Sequence, residues 1–194
     1  MARIRILLTC LAAGLVLAAF PQASDSSEVR LNHYSFTLGT GWTHYVDNLE
    51  NGNGDITKDF IGVSLKFFWE PEYRLSLGLE TGYYKLFRTT HQFGDTVAHA
   101  DRNVVPLLLL VRMRIIDNFH LGAGMGLAFV QNKLSGVGDE VVTKTNSLAN
   151  FQLSASYLYP VGRMFRVGGE AKAFHFAAMD DWMYSLQALV AVRF

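Results

Sequence analysis

Two groups of residues in this chain carry chemistry. The first is the triplet His33-Tyr34-Ser35. Residues two apart on an extended strand share a face, which sets a histidine base beside a serine hydroxyl. Nucleophilic catalysis by such a pair needs a carboxylate to orient the imidazole. The plainer reading is two polar side chains on one strand. The second group is a scatter of charges in otherwise alternating segments: Lys66, Glu80, Arg112, Glu170 and Lys172, with the amides Gln152 and Gln187 on the same parity. Facing a common interior, they would either line a polar channel or close it with ion pairs, because a buried charge without a partner is very costly.

Metal chemistry has little to work with. His91 and His99 stand eight apart with no clear third ligand. The acid-rich stretch Thr43–Asp59 contains "NGNGDI", which lacks the spaced acids and glycine of a calcium loop. Cys10 is the single cysteine and lies in an N-terminal apolar run, so no disulfide, metal thiolate or cysteine nucleophile is expected beyond it. The expectation is therefore no metal site and no cofactor.

The elements that position these residues are strands. Met1–Ser24 opens with Arg3 and Arg5 and continues with an apolar run from Ile6 to Phe20, in the order of a cleavable signal peptide cut between about residues 19 and 24. The remainder, 25–194, has the length of one domain. Lys and Arg number 17, as do Asp and Glu, so loss of Arg3 and Arg5 leaves an excess of two acids and no basic footprint for nucleic acid. Eight alternating segments follow: Leu31–Trp42, Phe60–Trp69, Tyr73–Lys85, Val104–Ile115, Phe119–Gln131, Leu148–Tyr159, Arg163–Phe174 and Trp182–Phe194. Tight turns at "EPE", "IDN" and "PVG" alternate with long polar connections at 43–59, 86–103 and 132–147 and an intermediate one at His175–Asp181.

Each segment has one apolar face, and the other is read as small or polar, rich in Gly and Ser. Alternation alone does not say which face meets water; the aromatics decide. Trp69, Tyr73, Phe119, Tyr157, Tyr159, Phe165 and Phe194 gather near the short turns, and Trp42, Tyr83, Phe129, Phe151, Trp182 and Tyr184 near the long connections. Two aromatic girdles around an aliphatic band fit a bilayer, where amphipathic rings prefer the interfaces. The prediction is an all-β fold: a closed, eight-stranded, antiparallel up-and-down transmembrane barrel. Closure follows because an open sheet edge in lipid leaves backbone groups unpaired. Eight strands leave a narrow interior that side chains fill, which favours the ion-paired plug over the channel. Arg74, Arg114, Arg166 and Arg193 fall near the short-turn rim, where water reaches them.

The final "LVAVRF", the strand "NVVPLLLLVRMRI", the glycine-rich "HLGAGMGLAF" after a tight turn, and the leader together resemble the small outer-membrane β-barrels of Gram-negative bacteria, the OmpA/OmpX type and the broader outer-membrane β-barrel domain family. The resemblance covers nearly the whole chain beyond the leader. It implies outer-membrane localisation, contact with outer-membrane lipids and lipopolysaccharide, and recognition of the last strand by the barrel-assembly machinery through Ala188, Val190, Val192 and Phe194. His33-x-Ser35 is similar to the His-x-Ser of an outer-membrane lipid A deacylase, but this pair faces the lumen near the periplasmic start of its strand, whereas lipid A lies in the outer leaflet. The expected function is non-enzymatic: a plugged barrel with a structural or surface-interaction role, meeting any extracellular partner through 43–59, 86–103 and 132–147. A narrow pore for small solutes and a lipid A-modifying enzyme are the alternatives.

Overall fold

The computed structural model describes residues 32–46, 55–71, 74–93, 96–135, 141–177 and 180–194. The expected leader at Met1–Ser24 and the girdle residue Tyr73 lie outside them. The strands are β1 (Asn32–Val46), β2 (Asp55–Thr57), β3 (Asp59–Pro71), β4 (Leu75–Phe93), β5 (Thr96–Ile116), β6 (Phe119–Ser135), β7 (Val141–Pro160), β8 (Phe165–Phe176) and β9 (Asp181–Arg193). All pairings are antiparallel.

Eight long strands close into a ring in the order β4-β3-β1-β9-β8-β7-β6-β5, and β5 returns to β4. The seam between β1 and β9 runs from Ser35 opposite Arg193 to Val46 opposite Trp182. Tyr34 and Phe194 extend it with two backbone hydrogen bonds of 2.9 and 3.0 Å. No edge is left open along the barrel wall, as a lipid environment requires.

The faces are those of a protein turned outward to an apolar solvent. Ile61 is 76 % exposed and Leu153 63 %, while Glu80, on the inner face, is 1 % exposed. Trp42, Trp69, Tyr83, Phe129, Tyr157, Tyr159, Phe165, Trp182 and Tyr184 all stand exposed on the outer wall, and Phe119 is half-buried. From Ile61 to Trp69 the exposed positions of β3 cover nine residues, the length a tilted strand needs to cross a bilayer, about 9–11 residues.

Three expectations need correction. The connection at 43–59 holds an additional strand, β2, which pairs with Arg88–Thr90 of β4 and continues the line of β3 beyond Lys58. The segments 86–103 and 132–147 are largely strand: β4 and β5 run to Phe93 and from Thr96, and β6 and β7 to Ser135 and from Val141. In sequence these stretches lack the strict apolar–polar alternation that marks a membrane strand. The third correction concerns the inner face. Near the long-connection end it is apolar: Tyr45, Tyr84, Leu86, Val104, Phe174, Phe176 and Met183 form a buried cluster inside the barrel. Adjacent Leu residues on β5 mask this in the sequence, since Leu107 and Leu109 face out while Leu108 is fully buried.

Glycines clear the space for these side chains. A Cβ on Gly78 would lie 2.4 Å from the Phe68 ring and 2.5 Å from the backbone oxygen of Phe67, and one on Gly62 would lie 2.5 Å from the ring of Tyr84. The glycine stripe thus makes room for aromatic rings as much as for charged chains.

Candidate functional site

Period-2 alternation carries Lys66 on β3, Glu80 on β4, Gln152 on β7, Glu170 and Lys172 on β8, and Gln187 on β9 into one mid-barrel layer, all 6 % exposed or less. Lys66 and Glu80 are direct cross-strand partners, with Nζ 3.8 Å from Oε2. The other bonds between the charged groups, and that of Gln152, cross the lumen, and Ser64–Gln187 spans β1. Lys172 Nζ donates to Glu80 Oε1 at 2.5 Å and to the Tyr84 hydroxyl at 2.9 Å. Lys66 Nζ donates to both carboxylate oxygens of Glu170. Gln152 Nε2 donates to Glu80 Oε2 at 2.8 Å, and Ser64 Oγ donates to Gln187 Oε1 at 2.7 Å. Two ammonium groups and two carboxylates thus form a neutral cluster in which each charge has a partner, the condition under which charge tolerates burial. Beside it lies a void of about 10 Å³ bounded by Thr37, Lys66 and Phe68, room for about one water. The apolar cluster closes the lumen beyond.

Arg112, the remaining predicted lumen residue, lies lower and joins a second hub that sequence reasoning misses. Glu70 accepts hydrogen bonds from Ser35 Oγ at 2.7 Å and Arg112 Nη2 at 2.6 Å. The Arg112 guanidinium also stacks 3.8 Å from the centroid of Phe68. The sequence places Glu70 in a tight turn; its parity with Ser64, Lys66 and Phe68 is the signal that points inward instead. The same hub bears on the His33 and Ser35 pair: the serine hydroxyl donates its hydrogen bond to the Glu70 carboxylate.

Outside the barrel wall, the β4–β5 hairpin is held by charge. Arg88 makes a two-pronged contact with Asp101, Nε at 2.7 Å and Nη2 at 2.9 Å, and Lys85 Nζ lies 3.0 Å from the same carboxylate. The Arg88 hydrogen bonds, with Lys85 beside them, hold the Asp101 carboxyl down to about 2 from its ordinary 3.8. Arg102 Nε ties β5 to Asn132 on β6 at 2.7 Å. Asp59 accepts the Trp42 indole N–H at 2.9 Å and lies 2.9 Å from His44 Nδ1. The His99 ring contacts the Thr90 hydroxyl at 3.1 Å; the side chain of His91 lies outside the described residues. Among the described residues no three His, Cys, Asp or Glu side chains converge as a metal site. On the last strand Ala188 and Val190 face outward, and Val192 and Phe194 are half-buried.

A family model for the outer membrane protein beta-barrel domain matches residues 8–194. No curated protein matches the sequence. Among solved structures, the attachment invasion locus protein Ail of Yersinia pestis is similar over 84 % of this chain and 99 % of its own, with a TM-score of 0.57 at 13 % identity. A major outer membrane protein of Thermus thermophilus shares 84 % of this chain and 99 % of its own, at a TM-score of 0.54 and 13 % identity. Neisserial surface protein A shares 83 % and 97 %, at 0.53 and 10 %. At these identities the likeness is one of fold.

Proposed function

The chain belongs to the outer-membrane β-barrel domain family, and from that premise we propose that it is a non-enzymatic, non-conducting surface barrel that meets its partners through rigid hairpins. The observation that carries this reading is a contrast between its two parts. The lumen is tied shut by bonds between facing walls, whereas β4 continues ten residues past the girdle at Tyr83, to Phe93. That is roughly 30 Å of paired strand at about 3.3 Å per residue. A barrel with a structural role alone has no need of so long a stiffened projection.

The segments 43–59, 86–103 and 132–147 are then the contact surface for an extracellular partner, lipopolysaccharide and outer-membrane lipids surround the wall, and Met1–Ser24 is the export leader. The test is to replace 88–101 with a two-residue turn and reconstitute both forms. We expect no discrete conductance from either in a planar bilayer, an unchanged gel shift between boiled and unboiled samples, and loss of binding in the shortened form alone. Heparin is a suitable first probe, because Ail has been solved in complex with the heparin analogue sucrose octasulfate. Stepwise conductance would overturn the reading in favour of a pore, and a lipid A mass change that disappears in His33→Ala would overturn it in favour of an enzyme.

A further inference from the structure

The geometry points to a phosphate-binding site at the short-turn mouth of the barrel. A cavity of about 340 Å³ opens there, within the range of small-molecule sites, about 300–1,000 Å³. Five arginines from separate parts of the ring line it: Arg74 ahead of β4, Arg112 and Arg114 on β5, Arg166 on β8 and Arg193 on β9. Among the described residues the lining holds one carboxylate, Glu70, leaving an excess of four positive charges.

Glu70 does not neutralise this group. One of its oxygens serves Arg112 and Ser35, and the other lies 2.9 Å from Arg193 Nε without hydrogen-bond alignment. One further lining group is buried without a partner: Arg112 Nε, in a residue 6 % exposed. A like-charged concave surface with unmet buried polar atoms is costly unless an anion completes it. Planar guanidinium groups are suited to bidentate contact with phosphate oxygens. The mid-barrel cluster shows what a completed arrangement looks like in this protein, with each ammonium matched by a carboxylate. At the mouth the described lining offers no carboxylate beyond Glu70, and the anion that completes it is a phosphate from outside the chain. In barrels of this kind the short turns face the periplasm, where the phosphate could belong to a soluble ion or to the headgroup of an inner-leaflet lipid. The inference stands independently of the hairpin reading above.

The experiment uses the full barrel in detergent micelles and follows the ³¹P signal as inorganic phosphate is added, with a parallel arm adding phosphatidylglycerol. The comparison is Arg114→Gln/Arg166→Gln, two positions outside the Glu70 ion pairs. The expected result is saturable binding in one arm, weakened at least about tenfold in the double variant, together with thermal stabilisation by the bound probe that the variant lacks. Binding in the first arm assigns the soluble ion, and binding only in the second assigns the headgroup. Absence of saturable binding in both arms, or equal binding by the double variant, would overturn the site. The gel shift of each variant shows independently that it has folded.

Discussion

Glu80 lies between two ammonium groups, Lys172 at 2.5 Å and Lys66 at 3.8 Å, and also accepts the amide of Gln152. Lys172→Met removes one charge from a balanced set of four and leaves the two carboxylates with a single cation. Breaking a buried pair from one side costs about 3–5 kcal/mol, while removing both members is often close to neutral. The expected result is a loss of about that size for Lys172→Met, with most of it recovered in Lys172→Met/Glu80→Gln. Denaturant unfolding from lipid vesicles measures both, and the double-mutant cycle isolates the coupling. Equal losses in the single and double variants would mean that the cluster contributes by packing and not by charge.

The β4–β5 hairpin makes a prediction of its own. Asp101 has a folded pKa of about 2 against an ordinary 3.8. Because the folded value is depressed, the contribution is fully present above the ordinary value and is lost as pH falls toward 2. Amide protection of the hairpin should therefore drop between about pH 4 and pH 2, and Asp101→Asn should lack that step; hydrogen-exchange protection factors across the range decide it. This element is also where the sequence was least legible. From Ile61 to Phe67 the alternation is strict because one face meets lipid and the other a packed lumen, so the facing of each residue could be read. Thr89 and Thr90 favour strand, but both are half-buried, so they leave no period to find. The lumen was legible by parity but not by partner. Lys66, Glu80, Glu170 and Lys172 could be placed on the inner face, yet that Lys172 reaches Glu80 depends on how the strands stagger around the ring. The apolar inner cluster was invisible for the opposite reason, since β5 is apolar on both faces.

At the scale of the whole barrel, closure depends on the seam between β1 and β9. Phe194 sits at one end of it, bonded to Tyr34 through the backbone, with its ring centroid 6.0 Å from that of Phe36. We expect Phe194→Ser to lower the fraction of protein that reaches the heat-modifiable state in cells while changing the stability of refolded barrels little. Pulse-labelled outer-membrane fractions compared with in vitro refolding separate the two effects, and equal losses in both would make Phe194 a matter of stability and not of assembly. The lumen bonds carry a mechanical consequence as well. In the ring, β4 and β8 stand four strands apart, so the Lys172–Glu80 contact runs along a full diameter, while Lys66–Glu170 and Gln152–Glu80 are chords joining walls three strands apart. A single-layered tube flattens readily under sideways load, whereas one braced by a diameter and crossing chords keeps its circular section. In a crowded membrane, lateral pressure then falls on spokes as well as on the rim.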